Sequence, residues 1–404
     1  RRSRQVLNSR RGGPPLGGPA WARMAPLEGL PYEVRRSFPE EWDLMRLLKG
    51  EASVPSPAPS RFLHSSLEIR QLSNRGRGVV AVADIPAGEL LLLDSPLIEA
   101  TNHEELVSTT TLKAREDQEF RRQLLSMCGD PEDDAARAEL SQPPSDQLVR
   151  HIIRHNYHGI DRPPLDGNLF GEPPAVGLWP LGSLINHSLH PNVARCFMGH
   201  AALYRLIRPL KAGEEVLDNY LDMRLPRALR HQMLLANHGI QDEGPDEYDA
   251  DPALVSEIKD KHEDVVAKLE EGSKESMQAG FMQLVELTNR CEAAVNDPSF
   301  VDVFRDFGLA AGQLGDASLS LQGCARAIEL ATVREPFNVV SCILALRMVH
   351  MACLAPEEVD AETRGELEAL AREHFLMVFG PVPGIFEVLN PELTQRLAEL
   401  AAAT

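Results

Sequence analysis

Two turns of similar make-up, Asp84-Ile85-Pro86-Ala87-Gly88-Glu89 and Pro209-Leu210-Lys211-Ala212-Gly213-Glu214, stand far apart in this chain, and the sequence between them changes character. Proline presets a turn φ angle and glycine accepts a positive one, so the first turn predicts a hairpin joining Val79–Val82 to Leu90–Leu93. From Glu104 to Ile160 apolar residues recur at helical spacing instead, Leu124 with Cys128 and Leu148 with Ile152, with a break at Pro143-Pro144. After Pro163-Pro164 and Pro173-Pro174, β character returns in Ala202–Ile207 and Glu215–Asn219. A helical stretch inserted between two β regions predicts an α+β fold with an embedded helical insertion.

Downstream, Leu225, Leu229, Met233 and Ala236 recur at helical spacing, and Gly239 supplies a left-handed stop. Beyond an acidic linker, Gln241–Asp251, the pattern is helical throughout. Leu314-Gly315-Asp316 through Ala325, Ile328 and Ala331 resembles half of a tetratricopeptide repeat, with a generic helical bundle as the other reading. Upstream, Arg1–Met24 is rich in Arg, Gly and Pro and holds no acid, and Ser53–Ser60 alternates Pro and Ser. The expected organisation is therefore a mostly disordered segment over residues 1–60, a folded α+β domain over 61–240 with its insertion at about 102–165, and an all-α domain over 252–404.

The formal charge of −19 repels phosphate backbones and favours cationic partners, so no direct nucleic-acid partner is expected and a lysine-rich protein suits the sign. A solvated acidic surface that serves solubility alone explains the charge equally well. No apolar run approaches the roughly 20 residues that cross a bilayer, so no membrane partner is expected. The six cysteines form no CxxC pair, which fits reduced thiols in a cytoplasmic or nuclear protein. The Arg-rich, acid-free start also fits an organelle transit peptide, although Arg1 is not an initiator Met. Oligomeric state is not legible.

The strongest local signal is Asn186-His187-Ser188-Leu189-His190-Pro191-Asn192, preceded by Gly177-Leu178-Trp179-Pro180 and followed by Gly213-Glu214-Glu215-Val216-Leu217-Asp218-Asn219-Tyr220. Asn74-Arg75-Gly76-Arg77-Gly78 stands upstream, with the helical insertion between. In this order the pieces resemble SET-domain methyltransferases, especially the SMYD-like and tetratricopeptide-SET branch, over roughly Leu67 to Gly239. The resemblance implies small SET-type β-sheets, S-adenosylmethionine as cofactor, and methyl transfer to a lysine ε-amine of a protein substrate. It also implies Tyr220 as the catalytic tyrosine, and Arg75, Arg77, Gly78, Asn156, Asn186 and His187 as cofactor contacts.

The chemistry suits these residue types. Glycine lets backbone come close to a ligand, an arginine pairs with a carboxylate, and Asn186 offers a donor and an acceptor to an amino-acid end. The His187 backbone suits an adenine. A target lysine must lose its proton from a free pKa near ~10.4, which desolvation in a narrow channel favours. Tyr220 reads as a positioning group rather than a general base, because a pKa near ~10 leaves little phenolate at neutral pH.

Two departures stand against the resemblance. Leu189 fills the position where many relatives carry a zinc-binding cysteine after Asn-His-Ser, and residues 237–246 hold no cysteine; His238 and Ile240 stand where relatives often place a channel-closing aromatic. The zinc-binding MYND insertion is missing as well. His151, His155 and His158 share roughly one helical face without an acidic or thiolate partner, so no metal site is expected. The alternative to an enzyme is a non-catalytic interaction scaffold whose helical region does the work beside a vestigial or cofactor-binding core.

Overall fold

The computed structural model describes residues 30–38, 44, 61–73, 75–127, 142–160, 175–241, 247–381, 384, 386–387 and 391–403. Segments 1–24 and 53–60, Cys128, and the proline pairs at 163–164 and 173–174 lie outside them. Between Phe62 and Asp218 run short strands: β1 (Phe62–Leu63), β2 (Leu67–Leu72), β3 (Gly76–Ala81), β4 (Leu90–Asp94), β5 (Ile98–Ala100), β6 (Tyr157–Ile160), β7 (Ala175–Leu178), β8 (Asn186–His187), β9 (Val193–Met198), β10 (Ala201–Leu206) and β11 (Leu217–Asp218). They form an antiparallel sheet in the order β1-β4-β10-β9, a β2-β3 hairpin, an antiparallel β5-β7-β6 sheet, and the two-residue parallel pair β8-β11.

The expected hairpin across the first turn does not form. β3 pairs with β2, and β4 lies between β1 and β10. The reason is burial on both faces: Leu91, Leu92 and Leu93 are all sealed from solvent, which a central strand satisfies and a two-stranded ribbon does not. The first turn packs on its echo instead. Ile85 and Leu210 exchange backbone hydrogen bonds of 2.8 and 2.9 Å, and the Asp84 carboxylate accepts from the Ala212 amide and the Lys211 ammonium, both at 2.9 Å. Gly88 and Gly213 close the two turns at φ +88° and +91°, where a side chain would be strained.

The insertion is helical: α1 (His103–Glu116), α2 (Gln118–Leu125) and α3 (Asp146–Asn156), each opened by a side-chain cap, from Asn102, Asp117 and Ser145. Leu106, Phe120, Leu124, Leu148 and Ile152 gather into their own core against Ile98 and Leu178 of the three-stranded sheet. Leu124, Leu148 and Ile152 are thus the buried face that their spacing predicts.

After the strands comes α4 (Arg227–His238), stopped by Gly239 at φ +66°. Its spacing predicts a buried face of Leu225, Leu229, Met233 and Ala236, but the structure buries Arg230 and Leu234 and leaves Leu229 exposed. Arg230 is drawn inward because its guanidinium donates to the Leu225 carbonyl at 2.7 Å and to Asp249 at 2.9 Å. The remaining helices are α5 (Pro252–Glu270), α6 (Lys274–Glu292), α7 (Val301–Gln313), α8 (Ala317–Thr332), α9 (Val339–Leu354), α10 (Ala361–Phe379) and α11 (Pro391–Ala403). Among the described residues, no helix is long and apolar enough to cross a membrane.

The four-stranded sheet is covered on both sides. Leu93, Cys196 and Leu203 join the helical core of Phe304, Cys342, Phe375 and Phe379. Leu92, Phe197, Ala202 and Tyr204 pack with Val79, Trp179 and Leu184 on the side that carries the β8-β11 pair's neighbours. The architecture is α+β, small sheets with an embedded helical insertion followed by an all-helical region.

Candidate functional site

The site is built around the chain crossing of β8 and β11. The buried Asp94 carboxylate accepts from the amides of Leu181 (2.6 Å) and Gly182 (3.0 Å), fixing the short turn that leads into Ile185 and Asn186. A Cβ on Gly182 would fall 2.6 Å from the Tyr204 hydroxyl, so this turn tolerates no larger residue without a shift. Asn192 ties the crossing shut: its Nδ2 donates to Glu215 O and its Oδ1 accepts from Leu217 N, both at 2.8 Å. Asn186–Asn192 and Gly213–Tyr220, far apart in the chain, therefore thread together.

Tyr220 emerges from this crossing with both ends held. Its hydroxyl donates to the Ile185 carbonyl at 2.7 Å, and its amide donates to His187 Nδ1 at 3.1 Å. That bond places the His187 proton on Nε2. The His187 and His238 rings pack on the Tyr220 ring at centroid distances of 5.2 and 4.8 Å. Sequence reasoning gave His187 a backbone role; the side chain supplies this second one.

Tyr220 lines a small cleft, with Asn156, His158, Ser183, Ile185 and His238 among its other walls. Asn156 ends α3, and its Nδ2 donates back to Ile152 O at 2.6 Å. His158 stands on β6, with Nδ1 accepting from Arg195 at 3.2 Å; Arg195 is in turn paired with Asp218. Burial, then the charges of Arg195 and His238, hold the His158 imidazole well below its ordinary range. Burial, then His155 and Arg154, brings His238 down to about 4. Two of the imidazoles that wall the cleft, those of His158 and His238, are thus neutral at neutral pH. His151 and His155 stack together, but among the described residues no group of three His, Cys, Asp or Glu is placed to hold a metal.

One residue further along, Asn186 meets the upstream glycine-rich strand. Its Nδ2 donates to Glu215 Oε1 at 2.6 Å and to Arg77 O at 3.1 Å. Arg75 reaches Glu215 Oε2 at 3.4 Å, whereas the Arg77 guanidinium donates to Ser126 O. Arg77 thus meets Asn186 through its backbone carbonyl, and Arg75 meets Glu215 through its guanidinium. A Cβ on Gly78 would lie 2.6 Å from Glu215 Oε1 and 2.9 Å from Asn186 Nδ2, so glycine there lets the strands meet.

The family model for the SET domain matches residues 76–221. The chain carries a SET domain. The matched span covers Gly76, Arg77, Gly78, Asn156, Asn186, His187 and Tyr220 and leaves Arg75 just outside it. Among curated proteins, the SET-bearing chain is 23% identical over 178 residues to "Histone-lysine N-methyltransferase set5" of Schizosaccharomyces pombe, covering 42% of this chain and 46% of that one. It is 44% identical over 59 residues to "Histone-lysine N-methyltransferase SMYD3" of Mus musculus, covering 15% of this chain and 14% of that one. The chain spans less than half the length of these curated relatives. Solved structures of the SET domain of LSMT bound to lysine and AdoHcy, and of Rubisco LSMT bound to AdoMet, align over 87% and 88% of this chain and 92% and 95% of theirs. Both are 14% identical to this chain, with a TM-score of 0.29.

Sequence reasoning missed four residues that shape the site. Glu215 belongs to the Gly-Glu-Glu motif without a role of its own there, and His238 stands out in the sequence only for replacing a usual aromatic. Asp94 and Arg195 carry no local signal, because their partners lie 87 and 23 residues away.

Proposed function

We propose that the chain is an S-adenosylmethionine-dependent methyltransferase acting on lysine side chains of a protein substrate. The observation that carries the reading is the Tyr220 hydroxyl, fixed on the Ile185 carbonyl at the wall of a cleft that also carries the neutral imidazoles of His158 and His238. The SET domain and its methyltransferase-named relatives support it.

The residues present fit the cofactor. Asn186 Oδ1 and Glu215 supply acceptors for an α-ammonium, and Arg75 supplies a partner for an α-carboxylate. S-adenosylmethionine supplies the methyl group on a sulfonium when bound. Tyr220 orients the acceptor amine, with His187 holding the tyrosine's backbone and His238 its ring. Because His158 and His238 stay uncharged at neutral pH, neither adds an imidazolium to a cationic substrate's surroundings. Burial in such a cleft favours the free amine, the form that attacks.

The test is incubation of the purified chain with radiolabelled S-adenosylmethionine and whole-cell lysate, followed by identification of labelled residues. Labelled lysine is expected. Tyr220→Phe should lower turnover by roughly two or more orders of magnitude while calorimetric cofactor affinity changes little. Wild-type protein that binds cofactor yet labels no lysine would favour the scaffold reading, and full activity in Tyr220→Phe would mean that the tyrosine is misassigned.

A further inference from the structure

The acceptor of the Tyr220 hydroxyl is a main-chain carbonyl, so the hydroxyl is placed no better than the backbone at Ile185. That backbone leaves a single tight turn, Gly182–Leu184, and Leu181 at its start supplies no side-chain cap. The turn's own bonds are long, Leu184 N to Leu181 O at 3.2 Å and Ile185 N to Gly182 O at 3.1 Å. So short a turn leaves amides without partners at its start. Asp94 takes them from outside, its Oδ2 accepting from Leu181 and Gly182. Because Asp94 closes β4, the strand between β1 and β10, the turn is anchored to the middle of the four-stranded sheet.

Arg61 keeps Asp94 in that role. Oδ1 of the carboxylate accepts from Arg61 Nε at 2.7 Å, and the two side chains are 0% and 6% exposed. Donors from Arg61, Leu181 and Gly182 thus converge on one sealed carboxylate, the pattern of an ionised group. Burial pushes the carboxyl up, and Arg61 opposes that rise more than the two amides do. The guanidinium is held in turn: it donates to Ser95 O at 3.3 Å, and its carbon lies 4.4 Å from the centroid of the Tyr32 ring. A buried ion pair adds little stability that apolar side chains of the same volume would not; what this one fixes is geometry.

We propose that Arg61 is a positioning residue for Tyr220: by holding Asp94 as the cap of the Gly182–Leu184 turn, it fixes the Ile185 carbonyl and, through it, the tyrosine hydroxyl. The proposal rests on the methyltransferase reading and adds a support that precedes the span matched to the SET domain.

A double-mutant cycle on the full chain tests it, reading methyl transfer from radiolabelled S-adenosylmethionine to lysate protein. Arg61→Met alone should lower turnover about tenfold or more, since a misplacement of about an ångström costs up to ~100-fold, while calorimetric affinity for S-adenosylhomocysteine stays within about threefold. In a Tyr220→Phe background no hydroxyl is left to place, and the same change should lower turnover by less than about twofold. Losses that multiply would make Arg61 merely structural and overturn the proposal, as would wild-type turnover in Arg61→Met. Hydrogen exchange gives a readout besides activity: the Leu181 and Gly182 amides should exchange about tenfold or more faster in Arg61→Met, with those of α9 unchanged. Unchanged protection at the turn overturns the proposal as well. Should Arg61→Met not fold, Asp94→Asn, which keeps the shape and drops the charge, takes its place in both measurements. Wild-type protein that labels no lysine removes the methyltransferase reading and this inference with it, whereas lysine labelling with losses that multiply removes this inference alone.

Discussion

At the scale of the residue, burial sets the charge state of the cleft. His238 sits at about 4, held there by desolvation first and then by its neighbours His155 and Arg154, with the Tyr220 ring packed beside it. An unfolded histidine titrates near ~6.5. Above that pH both states are neutral and the group does not affect the pH dependence of folding. As pH falls from about 6.5 towards 4, the unfolded chain takes up a proton that the folded one refuses, so stability declines through this window. His158, depressed well below its ordinary value by burial and then by Arg195, acts in the same direction. His238→Phe keeps a ring against Tyr220 and removes one of the two titrations. The melting temperature of this variant should fall less steeply between about pH 6.5 and 4.5 than that of the wild type. Parallel curves for the two proteins would mean that His238 is ordinarily basic. Neither shift was legible from sequence, since it depends on how deeply a ring is buried and on charges brought in from other elements.

At the scale of the element, local chemistry was legible and distant pairing was not. The Pro and Gly turns, the Gly239 stop and the buried face of the insertion helices all follow from neighbouring residues. The partner of β4 does not: Leu90–Asp94 finds β10 across the whole helical insertion, and nothing near it in sequence distinguishes that choice from the hairpin with β3. The inward face of α4 was misread for a related reason. Apolar periodicity cannot anticipate an arginine drawn into the interior by a carboxylate from the next segment. That carboxylate, Asp249, is 4% exposed and receives Arg230 and Arg334 at 2.9 Å and Arg227 at 3.2 Å. It joins α4 to the segment between α8 and α9. Asp249→Ala would leave three guanidinium groups facing one another, two of them almost fully buried, and should cost about 3–5 kcal/mol, the usual scale for removing one partner of a buried pair. Chemical denaturation measures this directly. Pairing the change with Arg230→Met should recover part of the loss; a neutral Asp249→Ala would show that the cluster is solvated rather than buried.

At the scale of the whole molecule, the four-stranded sheet carries the candidate site's supporting core on one side and the helical region on the other, so the two regions share Leu93, Cys196 and Leu203. The helices from Pro252 onward hold about twice as many acids as bases, and few of those acids are consumed by buried pairs. A field of this sign attracts a lysine-rich protein before any side chain enters the cleft, raising encounter rate more than final affinity. Surface charges act over a Debye length of ~8 Å at physiological salt, shrinking to ~3 Å at 1 M. Association of the full chain with a lysine-rich protein should therefore slow markedly between low and high salt, while dissociation changes less. Replacing exposed acids on one helix, such as Glu362, Glu366 and Glu373 of α10, with glutamine should flatten that dependence without lowering the melting temperature by more than a degree or two, because these side chains stand outside the core. Stopped-flow association rates across a salt series decide the matter: a rate independent of salt, or a salt slope untouched by the three substitutions, would assign the acidic surface to solubility alone.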